Sequence, residues 1–302
     1  VNATGGSPDF AFIGFGELAS TLAAVLRSGG AKPPRAFSRR WADGERSAAA
    51  RARISSVGAR AVETVAQAVR DADVVLSCVP GSAATSVAIE AADTLAPYAL
   101  YVDLATATPE DKERASETVH AAGARYVDAA VLGGVAASGG AVPILAAGAG
   151  AASFRDLAEP IGLAVSAIDA PAGAAARVKL LRSVYMKGRD ALVTEMMLGA
   201  RRHGLEDAVA ASIAGPGEEI PFAALAERVL CSLALHAERR ADELEASGAL
   251  LEAANVEAAA TSGAMRRLRL VAALDLAEGF GGKRPTAAAE VLERLERRPS
   301  GP

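Results

Sequence analysis

Short apolar runs and helical patterns alternate through the first 170 residues of the chain. Strand-like runs occupy Phe10–Gly14, Arg35–Ser38, Asp73–Val79, Ala99–Asp103, Arg125–Asp128, Val142–Ala147 and Ala164–Ile168. Between them, stretches such as Leu18–Leu26, Val62–Arg70, Ala84–Leu95 and Pro109–Ala121 place apolar residues at helical spacing. This alternation predicts βαβ units, hence a mostly parallel sheet with helices on both faces. Thr108 before Pro109 supplies an N-cap followed by proline at the first helical position. After Asp169-Ala170-Pro171 the strand signals stop. Ala172–Gly204, Phe222–Ala254, Ser262–Glu278 and Thr286–Arg297 read as helices, the first ended by Gly204. The expected fold class is an α/β domain over residues 1–170 followed by an all-α domain over residues 171–302, with a frayed tail after Arg297.

The first apolar run leads into Gly14-Phe15-Gly16-Glu17-Leu18-Ala19 and then into a helical pattern. A glycine motif between strand and helix is the context in which it signals dinucleotide binding, which makes the α/β domain Rossmann-type. Gly14 permits the tight turn, Gly16 leaves room for a pyrophosphate, and Ala19 lets the helix pack closely on the strand. The helix N-terminus offers free N–H groups to the phosphates, so the stretch from Gly14 through Phe15, Gly16 and Glu17 to Leu18 is the expected cradle. The end of the second strand reads Phe37-Ser38-Arg39-Arg40, with no acid before Asp43. An acid there would favour NAD. Ser38 and Arg39 instead suit the extra phosphate of NADP, which is the expected cofactor, with NAD the lesser alternative. Cys78, Val79 and Pro80 end a later strand and are expected to wall the cofactor, since open α/β sheets hold ligands at their C-terminal edge.

Composition narrows the class. Hydrophobic residues make up 51% of the 302, aromatics only 4%, which suits closely packed alanine-rich helices. A net charge of −4 with no basic face argues against a nucleic-acid partner. The two cysteines, Cys78 and Cys231, lack metal or redox spacing and read as buried thiols in a reducing compartment. No combination of histidine, cysteine and acid has metal-ligand spacing, so no metal is expected. No apolar run is long enough to span a membrane and no signal sequence is evident, so the expected location is cytoplasmic.

Three further segments carry chemistry. They are Val102-Asp103-Leu104-Ala105-Thr106-Ala107-Thr108-Pro109, Asp128-Ala129-Ala130-Val131-Leu132-Gly133-Gly134 and Gly173-Ala174-Ala175-Ala176-Arg177-Val178-Lys179. With the glycine motif, their order and spacing resemble the superfamily of β-hydroxyacid dehydrogenases and 6-phosphogluconate dehydrogenase. From Lys179 to Gly188 the chain is most similar to a divergent bacterial branch with a phosphogluconate-dehydrogenase-like C-terminal domain.

The resemblance implies that Lys179 exchanges a proton with the substrate hydroxyl during hydride transfer, and that Ala105 and Thr106 border the cofactor. A lysine desolvated in a cleft can have its pKa lowered toward neutrality, which suits that role. The family's usual polar contacts are altered: Ala105 and Leu132 stand at serine positions, and Ser183 at an asparagine position. Gly133 and Gly134 still offer backbone N–H groups, and Arg182, one turn from Lys179, can grip an anion through two parallel bonds. The expected substrate is therefore a small anion, a hydroxy acid or its aldehyde or keto counterpart, held by Gly133, Gly134, Arg182 and Ser183. His236 and Arg240 share a face of a later helix and are further candidates. The resemblance also implies a homodimer through the helical domain. Imine reduction on the same architecture and a non-catalytic NADP-binding sensor are the alternative readings.

Overall fold

The computed structural model describes residues 7–39, 44–213 and 220–297. Eight strands form one sheet: β1 Phe10–Ile13, β2 Arg35–Phe37, β3 Arg60–Ala61, β4 Val74–Ser77, β5 Leu100–Asp103, β6 Arg125–Val131, β7 Ile144–Ala147 and β8 Val165–Ala167. Their order is β3-β2-β1-β4-β5-β6-β7-β8. All pairings are parallel except β6 with β7. The helices that accompany the sheet are α1 Glu17–Ser28, α2 Gly44–Ser56, α3 Val65–Val69, α4 Ala84–Ala92, α5 Pro109–Ala121, α6 Val135–Ser138 and α7 Ala151–Ala158. Six more follow: α8 Ala174–His203, α9 Glu206–Ile213, α10 Phe222–Ala253, α11 Ala259–Ala272, α12 Leu276–Gly279 and α13 Ala288–Glu296.

Alternation of side chains along each strand feeds two cores, one on each face of the sheet. Phe10, Phe12, Leu76, Leu100, Val102 and Val127 pack with Leu22 and Leu26 of α1 and Phe154 of α7. Ala11, Ile13, Val75, Tyr101 and Tyr126 pack on the opposite face with Val65 of α3, Val87 of α4 and Val119 of α5. Removing a side chain such as Phe12 from water stabilises the fold by about 1.5–3 kcal/mol. The pairing also sets Ser77, Asp103 and Asp128 in one row across three adjacent strands.

The chain divides into two compact units, Val1–Arg182 and Ser183–Pro302. Residues 171–182, assigned by their helical pattern to the second half, pack with the first unit. In the second unit Ala234, Ala237, Val271, Leu276 and Val291 form a small core. Glu195 of α8 accepts hydrogen bonds from the Ala260 and Thr261 amides at 2.5 and 3.0 Å and from the Thr261 hydroxyl at 2.8 Å. It thereby caps α11, whose own N-cap position is Ala258. Among the described residues, no helix is long and apolar enough to cross a membrane.

Some elements depart from their sequence pattern. β3 is only two residues long, and α2, with the sequence GERSAAARARISS, has no continuous apolar stripe. α7 and α9 are short and rich in alanine. The Ser262–Glu278 pattern is broken by Asp275 at φ +46°, which separates α11 from α12. Finally, β6 continues through Val131, so most of the Asp128–Gly134 motif is strand, and only its end forms a loop.

Candidate functional site

At the end of β1 the chain turns at Gly14 with φ +80°, and the Gly14 amide donates to the Phe37 carbonyl at 2.9 Å. A Cβ at Gly14 would lie 2.7 Å from the Cys78 carbonyl oxygen, so both the conformation and the packing demand glycine. Gly16 is different: a Cβ there would meet no protein atom within 4 Å. It borders open space at the head of α1, and no side chain caps that helix. Ala19 is fully buried against the sheet. Phe15 is buried, and Glu17 and Leu18 begin α1. This arrangement leaves backbone amides facing outward beside a position with space for a phosphate.

Ser38, at the end of β2, is buried, and Arg39 is exposed and 3.5 Å from Glu90 of α4. Arg40 and Asp43 lie outside the described residues. Cys78, Val79 and Pro80 follow β4, and a Cβ at Gly81 would fall 1.9 Å from the Thr106 carbonyl oxygen. The loop after β4 therefore lies directly against the loop after β5, which holds Ala105 and Thr106. Cys78 is half-buried, in contrast to the fully buried Cys231. Desolvation and the Asp103 carboxylate push its thiol far above the ordinary range, which removes it as a nucleophile.

Lys179 stands in the second turn of α8, half-buried, and its Nζ donates to the Thr106 hydroxyl at 2.9 Å. It lines a small cavity with Ala105, Thr106, Lys112, Asp128 and Ala176. Its helix is anchored by Asp128, whose Oδ2 accepts from the Ala176 amide at 3.0 Å. Gly173, at φ +88°, lets the chain enter that helix close against Pro109 and Glu113 of α5, where Arg177 pairs with Glu113 at 2.6 Å. Desolvation foremost, then the Lys112 charge, lowers the Lys179 pKa, while Asp128 opposes. Asp128 itself is pushed up, by desolvation above all, against the Lys112 charge and the helix amides.

The buried charges beside Lys179 are the part that sequence reasoning missed. Lys112 of α5 is 1% exposed. Its Nζ donates to the Asp103 carbonyl at 2.7 Å and lies 3.1 Å from Asp103 Oδ1 and 3.7 Å from Asp128 Oδ1. Asp103 also accepts from the Ala105 amide at 2.9 Å and from the Tyr126 hydroxyl at 2.7 Å. Burial and Asp103 keep the Tyr126 phenol neutral, so it is a donor here. One signal was available: Lys112, Ala115, Ser116 and Val119 recur at the spacing of the buried helix face. A lysine at a core position needs partners.

The remaining candidates lie elsewhere. Gly133 and Gly134 occupy the loop before α6, and a Cβ at Gly133 would meet Val142 and Pro143 at 3.7 Å, ordinary contact distance. Arg182 closes the first unit and is exposed; among the described residues it makes no ion pair. Ser183 opens the second unit. His236 and Arg240 lie in that second unit on α10, His236 exposed and Arg240 bonded to Ser232 of its own helix at 2.8 Å. Arg239 pairs with Glu243 on the same helix.

Comparison with known proteins adds context. Residues 9–167 match the model of the NAD binding domain of 6-phosphogluconate dehydrogenase, and residues 200–271 match a domain of unknown function, DUF1932. A conserved hypothetical protein from Sinorhizobium meliloti 1021 is 29% identical, with 98% of each chain covered and a TM-score of 0.61. The conserved protein MTH1747, whose structure is described as similar to 3-hydroxyacid dehydrogenases, is 30% identical. That likeness covers 89% of this chain and 99% of the other, with a TM-score of 0.60. An imine reductase from Pseudomonas sp. shares the fold at a TM-score of 0.69 and 19% identity, over 96% of this chain and all of its own.

Proposed function

The chain belongs to the family defined by the NAD-binding domain of 6-phosphogluconate dehydrogenase, and on that premise we propose an NADP-dependent oxidoreductase with Lys179 as its proton carrier. The reaction we infer interconverts a small anionic hydroxy acid and its aldehyde or keto counterpart. One observation carries this reading: a half-buried lysine, held on Thr106, whose surroundings weaken its hold on a proton.

The residues at the end of β1 fit a dinucleotide, because Gly16 borders open space beside an uncapped helix terminus. The backbone from Gly14 to Leu18 would hold the pyrophosphate, and Ser38 and Arg39 the 2′-phosphate, while Cys78, Val79, Pro80, Ala105 and Thr106 would wall the ring. When bound, the nicotinamide supplies the hydride acceptor or donor. In the oxidative direction Lys179, as a free amine, takes the proton from the substrate hydroxyl as the carbon gives up its hydride. In the reductive direction the ammonium returns that proton to the carbonyl oxygen. A lowered pKa makes the free amine easier to reach and so favours proton exchange in both directions. Gly133, Gly134 and Arg182 would hold the substrate anion, and Ser183, His236 and Arg240 remain further substrate-binding candidates.

A homodimer in the cytoplasm is part of the reading. Val184, Leu205, Phe222 and Leu250 of the helical unit are between 52% and 73% exposed, apolar surface of the kind that association covers. Light scattering should give twice the chain mass; a concentration-independent monomer would overturn this part.

NADPH fluorescence titration followed by a panel of short aldehydes, keto acids, hydroxy acids and cyclic imines tests the main proposal. We expect NADPH to bind more tightly than NADH, and turnover on an anionic carbonyl compound. Turnover on imines alone would move the assignment to imine reduction. Arg182→Ala should raise KM for the anion at least about tenfold, the effect of one lost charge-assisted pair; an unchanged KM removes Arg182 from the site.

A further inference from the structure

We propose that Lys112, locked between Asp103 and Asp128, is a positioning residue for Lys179. It holds Asp128 in place as the anchor of the first turn of α8, and its charge sets the field in which the Lys179 amine takes up and releases a proton. This rests on the reading of Lys179 as proton carrier, but its physical content is separable from any substrate.

The geometry gives Lys112 no other evident task. A 1%-exposed ammonium is costly to bury unless it is paired, and replacing such clusters by apolar residues is often neutral or stabilising. Its three close oxygens come from two adjacent strands, from Asp103 at the end of β5 and Asp128 within β6. Those two carboxylates reach outward in different directions. Asp103 fixes the Ala105 amide, one residue before the Thr106 hydroxyl that receives Lys179. Asp128 fixes the Ala176 amide, one turn before Lys179 itself. Lys112 therefore joins the support of Lys179 to the support of its hydrogen-bond partner. Asp128 Oδ1, beside Lys112, has no hydrogen-bond donor, so its charge is balanced by the ammonium and not by a bond.

The charged groups around Lys179 in the first unit are few. From α5 come Lys112 and Glu113, from β6 Asp128, from β5 Asp103, and from α8 itself Arg177 and Arg182. Glu113 and Arg177 neutralise one another in an exposed pair. Among the buried charges, Lys112 disfavours the Lys179 ammonium, and Asp128 favours it.

These opposed signs make the test sharp. The full-length chain is labelled with [ε-13C]lysine, and the Lys179 resonance is assigned by its loss in Lys179→Arg and followed through a pH titration. In the wild type we expect Lys179 to titrate below the ordinary lysine range. In Lys112→Met its midpoint should rise by about one pH unit, the effect of removing a like charge that lines the same small cavity. In Asp128→Asn it should fall, and in Lys112→Arg it should stay near wild type. A Lys179 midpoint unmoved in a folded Lys112→Met chain would overturn the proposal. If that variant fails to fold, Asp128→Asn decides: a downward move supports the proposal and an unmoved midpoint overturns it. None of these readings uses a substrate. Should Lys179→Met turn over as fast as wild type while the midpoints move as stated, the assignment of Lys179 fails and the coupling to Lys112 stands.

Discussion

Asp128 and Glu195 do the same structural task in the two units, and they are equipped for it in opposite ways. Each is a buried carboxylate that accepts backbone amides at the start of a helix belonging to another element, α8 for Asp128 and α11 for Glu195. Glu195 is complete: two amides and a hydroxyl surround it. Desolvation works against its charge, yet those bonds together hold its carboxyl below the ordinary range. Asp128 is unfinished. One of its oxygens has no donor, desolvation pushes its carboxyl up, and a buried lysine stands beside it. A cap that only held a helix would resemble Glu195. Strain of the Asp128 kind is expected where a charge also serves a neighbouring group, here Lys179.

Stability separates the pair most. Asp128→Leu would leave Lys112 short of a partner and strip the α8 amide, at a cost of about 3–5 kcal/mol. Glu195→Leu strips hydrogen bonds without stranding an opposite charge and should cost about 1–3 kcal/mol. Urea unfolding, with hydrogen exchange to locate the loss at the Ala176 or the Thr261 amide, reads both. Equal costs would erase the distinction.

Acid titration of isosteric variants gives a smaller, signed effect. Glu195 has a lowered folded-state pKa, so its contribution is present above the ordinary carboxylate range and fades as pH falls through the folded value. The advantage of wild type over Glu195→Gln should therefore narrow on acidification. Asp128 has a raised folded-state pKa, so its ionised form works against the fold, and that penalty is relieved as pH falls from the folded value to the ordinary one. The advantage of wild type over Asp128→Asn should widen across that window. Two gaps moving in the same direction would contradict the assignment. The smallest effect is on turnover: per folded molecule, Glu195→Gln should stay within about twofold of wild type, as expected for a lost cap away from the chemistry.

The contrast also explains what the sequence disclosed. The turn at Gly14 was legible because the positive φ and the nearby Cys78 carbonyl exclude every side chain, and such demands appear as residue type. The parallel sheet was legible because buried strands of the β1 and β4 kind are continuous apolar runs. Lys112 was hidden by the opposite circumstance. On an amphipathic helix a lysine reads as solvent-facing, and its partners lie nine and sixteen residues along the chain, on separate strands. α2 was hidden because it lacks a clear apolar face. The strand read as Arg125–Asp128 runs further than its apolar pattern: pairing with β7 keeps the chain extended through Val131. For His236 and Arg240 the helical spacing specified a shared face, but a face alone does not say what it meets.

The most direct test sets wild type beside Lys179→Met with NADPH and the carbonyl panel. Both chains should show the same fluorescence change on binding NADPH. Wild type should turn over, and Lys179→Met should be slower by about 10²–10⁴-fold, the usual worth of a general acid–base group. A Lys179→Met chain that turns over at the wild-type rate would contradict the account, as would a wild type that binds NADPH tightly and reduces nothing on the panel.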